Sequence, residues 1–217
     1  MQDDHAARAD VPARKGYRKG DETRDRLIAT AQEMIYDVGF ARASSREIAR
    51  RAGVTFGVIQ HHFGTFEALL VTAAERGMAE LVGMLETAEI TGETTEAKLA
   101  AIADLLWRHV SGPAYISYLE ILTKLTRDPA TSEETRERLR AGSAELEKLW
   151  LRLMRRTFGW DHQGKALRRL MTSTMQGLAV SQWMNPGQPA FAAERRMFVK
   201  AMAAYLDGLA AGEQALR

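Results

Sequence analysis

Apolar residues that recur at spacings of three and four constrain this chain more than any other feature. Leu27, Ile28, Ala31, Met34, Ile35 and Val38 set the pattern, and Gly39 follows where a helix C-cap favours glycine. No sustained period-two run of β-branched and aromatic residues competes with it, so the predicted fold class is all-α. After this first helix, short helices are expected at about 45–51 and 55–62. A longer one should start near Thr65, whose hydroxyl can cap it ahead of Glu67, and run to about Thr87. Breaks at Thr91–Thr94, Gly112-Pro113, Pro129, Gly159 and Pro186–Pro189 divide the rest into about five more helices, about nine in all.

A chain of 217 residues, 46% hydrophobic and 27% charged, has the composition of a soluble globular protein. Its lack of cysteine excludes a disulfide framework, zinc ribbons, iron–sulfur ligation and thiol catalysis. Residues 1–20 lack helical periodicity and are basic from Arg14 onward through Lys15, Arg18 and Lys19. They are read as a flexible arm, either reaching into a minor groove or serving as a solubilising tail. That segment contains no apolar stretch of signal-peptide length. The charge-free span between Arg169 and Glu194 is interrupted by Thr172, Gln176, Gln182, Asn185 and Pro186, so no membrane partner is expected and a cytoplasmic location is. A net charge of +2 says little about partners; its distribution says more.

From Ser45 to His62 the residues have the internal logic of a helix-turn-helix. Ala49 is small where two helices must cross, Gly53 stands where the turn needs a left-handed backbone, and Ile59 can pack back on the first of the two helices. Thr55 is expected to cap the second. Ile48, Val54 and Ile59 should point inward with Leu27, Ala31 and Ile35, leaving Thr55, Phe56, Gln60 and His61 outward. Between Ala41 and Phe66, Arg42, Arg46, Arg50 and Arg51 are opposed only by Glu47. Charges alone could be a solvated face, but on this frame duplex DNA phosphate is their natural partner. The adjacent His61 and His62 lie about 100° apart on a helix without a third ligand, so no metal is expected, and no cofactor.

With those residues in place, Thr23–Arg76 resembles the N-terminal domain of the tetracycline-repressor (TetR) family of bacterial transcriptional regulators. The resemblance rests on Thr23–Ala31, Gly39-Phe40, Ile48-Ala49, Ala52-Gly53-Val54, Gly57–Phe63 ending His-His-Phe, and Glu67–Leu70. It implies an N-terminal three-helix DNA-binding domain, residues 21–66, and a C-terminal helical effector-binding and dimerisation domain, residues 67–217. Ser44 and Ser45 would contact phosphate and Arg46 would enter the major groove. Thr55, Phe56, Gly57 and Val58 would open the recognition helix, with Gln60, His61 and His62 completing the surface. In that register Phe56 and Val58 suit thymine methyl groups and Arg46 suits guanine. Two positions depart from the family pattern: Gln60 replaces an aromatic phosphate contact and Phe66 a lysine.

In the second domain, Phe191, Phe198, Met202, Tyr205 and Leu209 should form one stripe of the last helix, from about Ala190 to Ala211, and Ala201, Ala204 and Gly208 a small-residue face. The helix before it, from about Leu167 to Met184, is expected to be buried on most faces. The resemblance implies that the last two helices make a homodimer interface matched to a palindromic operator, although a purely intramolecular core would show the same pattern. It also places Trp107, His109, Tyr115, Tyr118, Trp150, Met154, Met175, Gln176 and Trp183 around a small-molecule effector pocket, with ordinary core as the alternative. No nucleophile elbow, zinc-protease, Walker or dinucleotide fingerprint occurs, and Ser132–Glu147 with Arg136, Arg138 and Arg140 reads as a solvated face, so no enzyme is expected. The expected function is a homodimeric, ligand-released DNA-binding repressor. The alternative is a helical small-molecule-binding or adaptor protein whose helix-turn-helix no longer binds DNA.

Overall fold

The computed structural model describes residues 13–159, 163–187 and 191–215. Among them run nine α-helices and no strand: α1 (Ala13–Val38), α2 (Ser45–Arg51), α3 (Phe56–Phe63), α4 (Phe66–Thr87), α5 (Thr95–Val110), α6 (Pro113–Arg127), α7 (Glu133–Phe158), α8 (Gln163–Met184) and α9 (Ala192–Ala215). A single 3-10 turn, Phe40–Arg42, links α1 to α2. None of these helices is long and apolar enough to cross a membrane.

Local chemistry sets most of the boundaries. Thr65 accepts the Ala68 N–H at 3.0 Å, Thr94 the Ala97 N–H at 3.1 Å and Ser132 the Thr135 N–H at 3.1 Å, each satisfying a donor that the first helical turn leaves open. Pro113 starts α6, where a missing N–H costs nothing, and Gly159 ends α7 in a left-handed conformation at φ 74°. Thr55 departs from expectation. It stands at the N-cap of α3 in extended backbone, but its hydroxyl caps no N–H; the Val58 N–H goes instead to the Thr55 carbonyl at 3.0 Å.

Three sequence boundaries are corrected. Helix α1 begins at Ala13, so residues 13–20 belong to a helix rather than to the expected arm 1–20. Lys and Arg are good helix formers, and the two glycines there, Gly16 and Gly20, weaken a helix by about 1 kcal/mol each without stopping it. Residues 1–12 lie outside the described residues. Helix α8 begins at Gln163 and takes Lys165, Arg168 and Arg169 into its first turns, so only its later part is uncharged. Phe191 precedes α9 at φ 46° and is not part of that helix's stripe; the expected start at Ala190 lies outside the described residues.

Helices α2 and α3 pack against each other, α2 also on α1 and α3 on α4. Leu27, Ala31, Ile35, Ile48, Ala49 and Ile59 are all buried at their junction, as the spacing requires, and Val54 is half-buried beside them. Helix α4 then leaves this head and packs on α6 and α7, while α5 packs on α8 and α9. The head is also held from the side, because α1 lies along α6.

Candidate nucleic-acid interface and ligand cleft

Burial on one side of α2 and α3 decides what the other side presents. Gly53 has φ 67°, the left-handed turn that lets α3 fold back so that Ile59 meets Ala49 and Ile48 in the core. Thr55, Phe56, Gly57, Gln60 and His61 are consequently exposed, and Val58 and His62 are half-buried. Phe56 keeps 48% of its surface in solvent, unusual for a ring in so small a unit. The rings of His61 and His62 stand edge-on with centroids 5.1 Å apart.

The arginines on this face are not equivalent. Arg50 binds Glu47 through Nε at 2.8 Å, and Arg51 reaches Asp37 at 3.2 Å as well as Glu47 at 3.5 Å. The Arg50 guanidinium beside Glu47 holds its carboxyl well below the usual range, at about 2. Asp37 of α1 thus adds a second carboxylate to this face, so its positive excess is smaller than residues 41–66 alone carry. It is concentrated on Arg42 and Arg46, both exposed and without an ion pair among the described residues. Ser44 caps α2 by accepting the Glu47 N–H at 3.3 Å, which leaves its hydroxyl proton free to donate outward; Ser45 is half-buried beside it. Phe66, where the family pattern has lysine, packs against the core.

A cleft of about 240 Å³ opens between α4, α6 and α7, lined by Ala74, Met78, Val82, Tyr118 and Leu139 with Glu75, Arg138 and Glu145 around it. Of the aromatic and methionine candidates, Tyr118 lines this cleft. Tyr115 follows at 6.2 Å between centroids and His109 at 5.7 Å from Tyr115, so these three form one buried cluster. Burial pushes the Tyr115 hydroxyl's pKa up and the His109 imidazole's down, to about 4, so both are neutral near pH 7. Trp150, Met154 and Met175 are buried core, and Gln176 is half-buried on α8. Trp107 lies under the Arg195 guanidinium at 4.4 Å, and the Trp183 indole N–H donates to the Tyr36 carbonyl at 2.9 Å.

Sequence reading missed the α4 and α7 walls. Arg138 reads as part of a solvated face, yet it crosses the cleft mouth to grip Glu75 with bonds of 3.0 and 2.9 Å, while Thr135 donates to Glu67 at 2.9 Å. Arg140 stays on its own helix with Glu133, whereas Arg136 pairs with Glu133 and also donates to the Asp128 carbonyl at the end of α6 at 2.9 Å. The available signal was the apolar series Ala74, Met78 and Val82 at spacings of four, one stripe of α4 that the head leaves uncovered.

On the outer side, α8 and α9 flank an apolar groove of about 510 Å³ lined by Ala166, Leu167, Leu170, Ala201, Met202, Tyr205, Leu206 and Leu209. Leu170 is 49% and Tyr205 62% exposed there. The inward stripe of α9 is Val199, Ala203 and Leu206, rotated from the expected one, so Phe198, Met202 and Leu209 are only half-buried and Tyr205 faces outward. Ala201, Ala204 and Gly208 are exposed.

Known regulators resemble this chain in sequence and in fold. The regulator BetI 1 of Chromohalobacter salexigens is 37% identical over 82 residues, and BetI of Ectopseudomonas mendocina 35% identical over 112 residues. Those alignments take in 37% and 49% of this chain and only 41% and 57% of the two relatives, both named HTH-type transcriptional regulators. The crystal structure of a transcriptional regulator from Rhodococcus sp. Rha1 superposes with a TM-score of 0.63 at 22% identity, over 83% of this chain and 95% of that one, a likeness that shows the fold alone. Residues 27–73 match the family described as bacterial regulatory proteins, tetR family, and that segment holds the buried junction of α1 to α4 and the exposed face of α2 and α3 described above. The family match is confined to these residues, about a fifth of the chain, and the chain spans about half the length of the two regulators.

Proposed function

We propose that the protein is a homodimeric, sequence-specific DNA-binding repressor released from a palindromic operator by a small apolar effector. The observation that carries this reading is the division of α2 and α3 into a side buried through Ile48, Ala49 and Ile59 and a side on which Thr55, Phe56 and Gly57 lie open, with Arg46 exposed and without an ion pair among the described residues. A solvated structural face has no reason to carry both an outward phenyl ring and a guanidinium without an ion pair. A major groove offers both a thymine methyl and a guanine edge. Ser44, Ser45, Gln60, His61 and His62 would hold the surrounding phosphates.

The outward apolar groove of α8 and α9 supports a two-fold dimer, which sets two reading heads one helical turn or a multiple apart. The cleft beside Tyr118 supports an effector site, with α4 as the lever, because α4 lines the cleft and begins against α3. An effector releases DNA only if it favours the separation of heads that does not fit the operator.

Selection of random duplex DNA by the purified protein at near-physiological salt tests the reading. Enrichment of a palindrome is expected. Recovery of no sequence by folded, dimeric protein would instead favour a small-molecule-binding or adaptor role with a degenerate reading head, the outcome that Gln60 and Phe66 would then explain.

A further inference from the structure

The corner between α1 and α2 turns sharply: α1 stops at Val38, Gly39 adopts φ 81°, and a single 3-10 turn leads to the Ser44 cap. A helix end leaves its last carbonyls without partners, and the first N–H groups of the next turn likewise. Here the Ile35 carbonyl is satisfied locally by the Gly39 N–H at 2.9 Å. Two other groups are satisfied from far away in sequence. The Tyr36 carbonyl accepts the Trp183 indole N–H from the last turn of α8, and the Phe40 N–H donates to the Glu120 carboxylate in the middle of α6. One orphan acceptor has been given a donor and one orphan donor an acceptor, both by the body of the protein.

Apolar packing between α1 and α6 holds the head but is non-directional; two hydrogen bonds at one corner fix its rotation. Their placement ties the corner to both other sites. Glu120 follows Tyr118 by two positions, about 200° around a helix, so one turn of α6 lines the cleft on one side and grips the corner on the other. Trp183 shares α8 with Leu170 of the outward groove. We propose that Glu120 and Trp183 are positioning residues that clamp the reading head in its DNA-competent orientation. The proposal rests on the DNA-binding function above.

The test uses the full chain and the palindrome that it selects. Glu120→Ala should lose about tenfold in affinity for that palindrome, the scale of ordinary coupling between sites. It should keep its affinity for unrelated duplex at low salt and tolerate altered half-site spacing. Glu120→Gln, whose amide oxygen can still accept the Phe40 N–H, should retain most of the affinity. Trp183→Phe should behave as Glu120→Ala does. Amide exchange at Phe40 should speed up in Glu120→Ala and not in Glu120→Gln, with the Ile48 amide unchanged in both. A Glu120→Ala protein that matches its parent in palindrome affinity and spacing preference overturns the clamp. So does one that loses specific and nonspecific binding equally, as general destabilisation would. A parent that selects no DNA removes the DNA reading itself, a failure visible before any variant is made.

Discussion

Gly77 of α4 lies against the Ala114 carbonyl of α6 so closely that an added Cβ would come within 2.7 Å of that oxygen. The contact is backbone, which cannot rotate aside as a side chain could, and Gln32, bonded to the Ala73 carbonyl at 2.9 Å, closes the other side. Gly77→Ala should therefore destabilise by about 1–3 kcal/mol despite the better helix propensity of alanine. Gly83, on the same helix with nothing within 4 Å of its would-be Cβ, provides the control. Gly83→Ala should stabilise by up to about 1 kcal/mol. Urea unfolding of the two variants checks the pair, and equal shifts would mean that α4 and α6 do not cross where the backbone places them.

That crossing marks the limit of what the sequence discloses. Helix spacing, the Gly53 turn and the inward set Leu27, Ala31, Ile35, Ile48 and Ile59 were legible, because each follows from period and backbone conformation within a short segment. The reach of Arg138 to Glu75 and of Glu120 to Phe40 was not, because both join helices whose relative placement no local pattern encodes. The start of α1 at Ala13 was missed for a different reason: a basic segment without an apolar stripe carries no periodic signal even when it is helical.

Buried His109 makes stability depend on pH. Loss of hydration lowers its pKa to about 4 in the folded protein, against 6.5 for an unperturbed imidazole. Between those values the unfolded chain takes up a proton that the folded one refuses. Stability is then full above pH 6.5 and falls as pH drops toward 4, by about 3 kcal/mol at most. The carboxyls of Glu47, Asp128 and Glu133, all held low by neighbouring cations or hydrogen bonds, lose their contributions further down. The difference between parent and His109→Gln in urea midpoints from pH 7 to 4 isolates the imidazole. A parent and variant with parallel pH profiles would show that His109 titrates normally.

Leu170 and Tyr205 are the large apolar residues exposed in the α8–α9 groove, and Leu167 and Leu206 already complete the protein's own packing beneath them. Leu170→Glu places a carboxylate at a surface that a second copy would desolvate, twice per dimer by symmetry. Sedimentation should show the dimer dissociation constant rising by about 100-fold or more, with helix content unchanged. A variant that remains as dimeric as its parent would move the interface elsewhere.

Arg46 and Arg50 lie on the same short helix, yet they should affect DNA binding differently. Arg50 is already neutralised by Glu47 through Nε at 2.8 Å, and a phosphate would have to displace that carboxylate to gain it. Arg46 has no such partner among the described residues and stands exposed in the first turn of α2. Arg46→Ala should relax preference at one base position at a cost of roughly 1–3 kcal/mol, whereas Arg50→Ala should cost less than about 1 kcal/mol on any sequence. Competition binding against single-base operator variants, repeated at several salt concentrations, separates the roles. Uniform loss across all sequences, with the salt slope reduced by about one, would put Arg46 on phosphate and leave base reading to Phe56 and its neighbours.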